Sequence, residues 1–338
     1  MDKVKVLQWG FGAMGSGMAK LMLEKKTVDF LGAVDSRPEY KGKDAGEICA
    51  DKKCGALVYS SFEEAKKNIS VKPDVVILAT DSFTKNVVNY IEKIANEKIN
   101  VITIAEEMAF PWAGEPALAE KIDKFAQKNN VTVLGTGINP GFVLDALVIM
   151  LTGVSHNIEY IEASRINDLS PFGPTVMKTQ GVGTTKEEFE KGIKSGDIVG
   201  HIGFPESISM IAKAIGWELD EIKEEREPII SNVYRETKYV KVEKGMVAGC
   251  RHIGYGIKNG KTIIKMIHPQ QVLPHLEKTE TGDYITIKGL PEINMSIKPE
   301  IPGGIGTMAM AVNMLHIVKE AKSGLVTMAD LPMPRIIS

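Results

Sequence analysis

The apolar run Val4-Lys5-Val6-Leu7-Gln8-Trp9 ends on Gly10-Phe11-Gly12-Ala13-Met14-Gly15, and Ser16 to Leu23 follows with helical spacing. Strand, G-x-G-x-x-G and helix in that order leave few folds open, because the chain must pass from a buried strand into a helix within one tight turn. Gly10 permits the turn, Gly12 lets the backbone approach a pyrophosphate, and Gly15 lets strand and helix pack closely. Unpaired N–H groups and the positive dipole end at the helix start favour phosphate charge. The whole loop, with Phe11, Ala13 and Met14, is expected to cradle a dinucleotide.

A second apolar run, Phe30-Leu31-Gly32-Ala33-Val34, closes on Asp35. An acid about twenty residues past the glycines can accept hydrogen bonds from the adenine ribose hydroxyls. Arg37 stands two residues further on, where a guanidinium can stack on adenine or hold a 2′-phosphate. NAD is the expected cofactor and NADP is tolerated.

At 338 residues the chain is long enough for two domains. Its 41 basic and 43 acidic residues leave a net charge near zero with no basic stripe, so no nucleic-acid partner is expected. The longest apolar runs are strand-sized, which argues against a membrane partner. Met1-Asp2-Lys3 leads straight into the first strand, and a cytoplasmic location is expected. Cys49-x4-Cys54 has no second pair and Cys250 stands apart, so plain thiols and no metal site are expected.

Strands are expected at 74–79, 101–104 and 131–134, with helices over Thr84–Ala95 and Glu115–Asn129. Strands alternating with helices imply a parallel sheet covered on both faces. After Gly135-Thr136-Gly137-Ile138-Asn139-Pro140-Gly141 the pattern changes, and a helix over Phe142–Leu151 leads away. Alternating strands then follow at 158–163, 237–242, 262–267 and 284–287, with helices over Thr185–Lys194 and Glu206–Ile215. That half suits a mostly antiparallel sheet with one solvated face. Gly303-Gly304-Ile305-Gly306 is expected to turn into one apolar helix over Thr307–Ala321 that packs back on the first domain. The fold class is thus α/β, a Rossmann-type doubly wound parallel sheet plus an α+β substrate domain. The boundaries fall at 1–140, 141–302 and 303–338, and the second sheet could join two copies as a homodimer.

Ligands of open parallel sheets sit at the carboxyl ends of the strands. Thr80, Asp81, Glu106 and Asn139 lie at such ends. Thr80 and Asn139 suit the cofactor, while Asp81 and Glu106 suit a cationic amine. Asp81 could equally cap the helix after it, and Glu106 is preferred over Glu107 as the inward carboxylate. In the second half His201 lies in a Gly-rich turn before a helix, placed for acid–base work. A purely structural role is preferred for His268. Lys178, in a loop before Gly181 and Gly183, suits a substrate carboxylate, with Arg165 and Arg251 as rivals.

Val4 to Gly15, Ala79-Thr80-Asp81 and Gly137-Ile138-Asn139-Pro140-Gly141-Phe142 resemble the nucleotide domain of dihydrodipicolinate reductase-like dehydrogenases. Gly200 to Ser207 and Ala311-Val312-Asn313 look like the branch that oxidises 2,4-diaminopentanoate in ornithine breakdown. Diaminopimelate dehydrogenases resemble the chain at Ala79-Thr80-Asp81, where their aspartate meets the reacting amino centre. The paired histidines of dihydrodipicolinate reductase itself are missing here. The resemblance implies NAD(P)-dependent oxidative deamination of a small diamino acid. His201 would be the general base, Asp81 or Glu106 would hold the amine, and Lys178 would hold the carboxylate. The alternatives are a dihydrodipicolinate-type imine reductase and a non-catalytic sensor of NAD(H).

Overall fold

The structure, a computed structural model, describes residues 2–338. They divide into two compact units, one reaching Phe142 and resuming over Gly303–Ser338, the other Val143–Pro302.

The first unit holds β1 (Val4–Trp9), β2 (Val28–Val34), β3 (Val58–Tyr59), β4 (Val75–Leu78), β5 (Asn100–Thr103) and β6 (Thr132–Gly135). The strand Gly324–Val326 adds itself beside β6, so the sheet runs Gly324–Val326, β6, β5, β4, β1, β2, β3, all parallel. Every residue of β4 is buried, as a strand covered on both faces must be. Helix Thr84–Asn96 supplies part of that cover through Val87, Val88, Ile91, Ile94 and Ala95. Strand order reverses between β1 and β4, and this reversal opens a crevice at their carboxyl ends.

The second unit holds β7 (Asn157–Asp168), β8 (Glu221–Ile230), β9 (Arg235–Glu236), β10 (Lys241–Val242), β11 (Val247–Lys258), β12 (Lys261–Gln271), β13 (Gly282–Leu290) and β14 (Ile293–Ile297). Six of these form a sheet in the order β14, β13, β7, β12, β11, β8, antiparallel except where β7 and β12 run parallel. Helix Phe204–Ala214 lies against β11, and the strand's glycines make room for it. A Cβ on Gly254 would stand 2.8 Å from Phe204 Cδ2, and one on Gly256 would stand 2.9 Å from Ile208 Cγ2. Those glycines break the period-two alternation, which is why β11 gives no strand signal in the sequence.

Local expectations differ from the fold at several further places. Residues 237–242 are not one strand: Thr237 receives the N–H groups of Tyr239 and Val240 on its hydroxyl, which folds the segment into a turn between β9 and β10. β8 and β14 emerge where no strand was expected. The helix expected over Phe142–Leu151 forms only over Ala146–Thr152, capped by Asp145. The terminal helix begins at Gly303, and Met314 interrupts it before Leu315–Glu320. It packs on helix Ala13–Leu23, where Gly17 leaves the space that Met308 fills. Lys178 lies in a short helix, Pro174–Thr179, rather than in a loop, and it is exposed.

Candidate active site

In the first unit the turn out of β1 is shaped by what its glycines exclude. Gly10 takes φ +89°, and a Cβ there would come within 2.3 Å of the Ala79 carbonyl oxygen. A Cβ on Gly15 would fall 1.8 Å from the Gly10 oxygen. Gly12 differs: a Cβ there meets nothing within 4 Å among the described residues, so the space beside it is open. Gly12 also precedes the first turn of helix Ala13–Leu23, where no side chain among the described residues caps the N–H groups. A groove of about 660 Å³ opens at this point, lined by Gly10, Gly12, Asp35, Arg37, Ala79 and Thr80. An open cradle, uncapped amides and a carboxylate at the second strand's end fit a nicotinamide dinucleotide.

Asp35 is more committed than its position suggests. Its Oδ2 accepts the Phe11 N–H at 2.8 Å and Arg37 Nη2 at 2.9 Å; its Oδ1 accepts Arg37 N at 3.0 Å and Arg37 Nε at 2.7 Å. Those four donors match the lone-pair capacity of a carboxylate. The Arg37 bonds bring its pKa to about 2. Arg37 also stacks on the Tyr40 ring, 4.1 Å from its centre. Phe11 is buried, with its amide spent on Asp35, and Ala13 and Met14 open the helix. Asn139 follows β6, where Thr307 Oγ1 accepts the Ile138 N–H at 3.1 Å.

Beside this groove's strand ends stand three carboxylates. Asp81 is exposed and accepts from Phe83 N and Asn86 Nδ2, each at 2.9 Å. Glu107 caps helix Thr84–Asn96 through Thr84 N at 2.7 Å. Glu106 makes no such bond to the helix. Burial raises its pKa, and the charges of Asp81 and Glu107 add to the rise against a hydrogen bond from Ser82.

In the second unit β11 and β12 place His252 directly opposite His268. The turn before helix Phe204–Ala214 brings His201 onto this pair, its ring centre 4.8 Å from that of His268 and 5.2 Å from that of Phe204. His201 Nε2 is buried and has no hydrogen-bond partner among the described residues. Burial lowers the His201 pKa to about 3, with His252, Arg165 and Arg226 adding to the effect. His268 is driven well below the ordinary histidine value, again by burial first. Arg165, on β7, is buried beside them and pairs with Asp283 at 2.8 Å and with the Ile301 carbonyl. Lys178 forms no ion pair among the described residues, and Arg251 is exposed, 3.9 Å from Glu227. Among the described residues no group of three or more His, Cys, Asp and Glu could hold a metal, and no helix is long and apolar enough to cross a membrane.

Residues 4–105 match the family model described as dihydrodipicolinate reductase, N-terminus, and residues 142–338 match the 2,4-diaminopentanoate dehydrogenase C-terminal domain. A curated 2,4-diaminopentanoate dehydrogenase from Acetoanaerobium sticklandii is 47% identical across 100% of this chain and 96% of that protein. The chain belongs to the 2,4-diaminopentanoate dehydrogenase family. An amine dehydrogenase of Streptomyces virginiae is 23% identical across 98% of the chain and 96% of its own length. The solved amine dehydrogenase of Mycobacterium smegmatis shares the fold at a TM-score of 0.85, with 24% identity over 98% and 97% of the two chains. This places a Rossmann-type sheet and a mixed sheet in one established dehydrogenase architecture.

Two parts of the site in this family member escape sequence reasoning. His252 sits in the glycine-broken strand β11, so nothing marks it as a partner of His201. Gln180 is buried at the end of helix Pro174–Thr179 and donates to the Gly200 carbonyl at 2.7 Å. Only the cross-strand pairing of His252 with His268 could have signalled the cluster, and that needs the register of two strands.

Proposed function

We propose that this chain oxidatively deaminates the C4 amine of 2,4-diaminopentanoate with NAD or NADP, releasing 2-amino-4-oxopentanoate and ammonia. Family membership at 47% identity supports that chemistry over an imine reductase or a non-catalytic NAD(H) sensor. Gly10, Gly12 and Gly15 with Thr80 and Asn139 hold the dinucleotide, and Asp35 and Arg37 face its adenosine ribose. The nicotinamide, when bound, takes up hydride from the carbon that carries the reacting amine.

The base role expected of His201 moves to Glu106. An ammonium group has no lone pair, so the amine must lose a proton before its carbon can be oxidised. A conjugate acid near pKa 3 makes His201 a weak proton acceptor, whereas burial makes Glu106 a stronger one. Asp81, exposed and negative, helps attract the amine while it braces the turn before helix Thr84–Asn96 through Phe83 N and Asn86 Nδ2. Water added to the resulting C4 iminium displaces ammonia.

The observation that carries the second half of the reading is the orphaned Nε2 of His201. A buried polar atom without a partner is costly unless a ligand or water completes it. With Arg165 close enough to lower its pKa, the cluster suits a carboxylate. Arg165 has five N–H donors, of which Asp283 and Ile301 engage one nitrogen each. The carboxylate role expected of Lys178 therefore passes to Arg165, with His201 and His268.

The resemblance supports a place in ornithine breakdown in the cytoplasm, and the broad β7–β14 sheet supports a homodimer; sedimentation velocity tests the latter. The activity is tested by NADH and NADPH formation from 2,4-diaminopentanoate, ornithine and diaminopimelate. Turnover of the first with ammonia release is expected; turnover of the others alone would overturn the substrate.

A further inference from the structure

We propose that His252, backed by Glu224, is a positioning residue that fixes the His201 imidazole by clamping the backbone of its turn. This rests on the carboxylate-binding role given above to His201. The turn is held group by group. Val199 N and Gly200 N both donate to the Thr179 carbonyl, at 3.0 and 3.3 Å. The Val199 carbonyl accepts Arg226 Nε at 2.6 Å, and the Gly200 carbonyl accepts Gln180 Nε2 at 2.7 Å. The His201 N–H donates to His252 Nδ1 at 3.0 Å. Every backbone polar group from Val199 to the His201 amide is thus satisfied from outside the turn.

That last bond dictates the state of His252. An imidazole nitrogen that accepts a hydrogen bond carries no proton, so the neutral ring must hold its proton on Nε2. Nε2 lies 3.0 Å from Glu224 Oε1, a close polar contact outside hydrogen-bond alignment, and Glu224 stays ionised despite partial burial because His252 and Arg226 oppose its protonation. His252 itself is fully buried. Gly200 at φ +70° completes the clamp, since a Cβ there would reach 3.0 Å from His252 Nδ1 and 3.3 Å from Arg226 Nε. No side chain can stand between the turn and its clamp. Among the described residues His201 Nε2 has no hydrogen-bond partner, so its direction depends on this backbone and on ring packing. Such a group needs its supporting residues to hold it within a fraction of an ångström.

The test compares kcat/KM for 2,4-diaminopentanoate with that for butane-1,3-diamine, which keeps both amines and lacks only the carboxylate, in the full-length enzyme. His252→Leu removes the acceptor and is expected to lower this ratio about tenfold, mainly by raising KM for the diamino acid. His252→Gln, whose carbonyl can accept the His201 amide, is expected to restore most of the ratio. Glu224→Gln, at a part-exposed site, should lower the ratio less and serves where His252→Leu does not fold. In the wild-type protein, the nitrogen-15 spectrum of the six histidines should show one locked neutral ring protonated at Nε2 and bare at Nδ1, lost in His252→Gln. Equal losses for both substrates, or an unchanged ratio in both His252→Leu and Glu224→Gln, would overturn the proposal. His201→Ala separates the two layers: an unchanged ratio there defeats the carboxylate reading, whereas a fall there without one in the His252 and Glu224 variants defeats only the clamp.

Discussion

Two glycine-bearing turns organise the two units, and they are built by different means. The turn over Gly10–Gly15 is shaped by close backbone approach: Gly15 gives way to the Gly10 carbonyl and Gly10 to that of Ala79, while its first two amides donate to the Val34 carbonyl and to Asp35. The turn over Gly200–Gly203 is shaped from without, by Thr179, Gln180, Arg226 and His252, which come from three separate segments. The first leaves open space beside Gly12 at the uncapped start of its helix; the second has the Gly200 and His201 amides bound and presents a side chain. A phosphate calls for free N–H groups at a helix start, whereas bound amides fix the direction of a side chain.

The largest effect expected falls on Glu106, where proton transfer is assigned. Glu106→Gln should lower kcat by about 1,000-fold, within the range for loss of a general base. Its sign with pH follows from burial. A raised pKa keeps the carboxyl protonated to higher pH than usual, so kcat/KM should fall as pH drops through that value. In Glu106→Gln this acid limb should vanish. A limb that persists would return the base role to the histidine turn.

Next come the glycines, which separate shape from contact. Gly15→Ala drives a methyl into the Gly10 carbonyl and should weaken dinucleotide binding about 100-fold, equivalent to about 2.8 kcal/mol. It should also lower Tm. Gly12→Ala meets no protein atom within 4 Å among the described residues, so binding alone should fall, about tenfold, with Tm unchanged. Fluorescence titration and thermal melts read both. A Gly12 variant that loses Tm and keeps its affinity would mean that the open space is not a cradle.

A finer test concerns Asp35 and Arg37, the least self-contained part of the first turn. Arg37→Ala frees the carboxylate for ribose hydroxyls and removes the cation that suits a 2′-phosphate. The kcat/KM ratio should shift towards NAD by about tenfold, since hydrogen bonds to charged groups are worth about 1.5–3 kcal/mol. The pair should hold over a wide acid range. With the Asp35 pKa lowered from 3.8 to about 2, its stabilisation is present above the unfolded value and is lost as pH falls through about 2. An unchanged cofactor ratio would show that neither residue meets the ribose.

This contrast explains what could be seen in the sequence. The G-x-G-x-x-G turn, the buried run of β4 and the face of helix Thr84–Asn96 depend on residues a few positions apart, so spacing reveals them. β11 stayed hidden because Gly249, Gly254 and Gly256 serve neighbours remote in sequence: the β12 backbone and the helix side chains of Phe204 and Ile208. His252 stayed hidden with it. Lys178 looked better placed than Arg165 because a lysine among glycines reads as a loop, while the burial of Arg165 beside Asp283 depends on β13, far along the chain. Asp35 was legible by position, but its saturation by Arg37 was not, because spacing alone does not give the direction of a guanidinium.

The smallest effect probes how far the assembled turn depends on local signals. Thr185 caps helix Lys186–Ser195 in a reciprocal box, with Glu188 N donating to Thr185 Oγ1 at 3.1 Å and Thr185 N donating to Glu188 Oε2 at 2.8 Å. Losing such a cap typically costs about 1 kcal/mol. Thr185→Ala should therefore reduce stability in denaturant by about that amount and leave KM unchanged. The helix also buries Phe189 against Ile198, the residue just before Val199, and Gly192 leaves the space that Ile198 fills. A cap loss confined to the helix end will not reach that contact. If KM for the diamino acid rises with the loss of the cap, the helix is part of the clamp, and the histidine turn draws on local encoding after all.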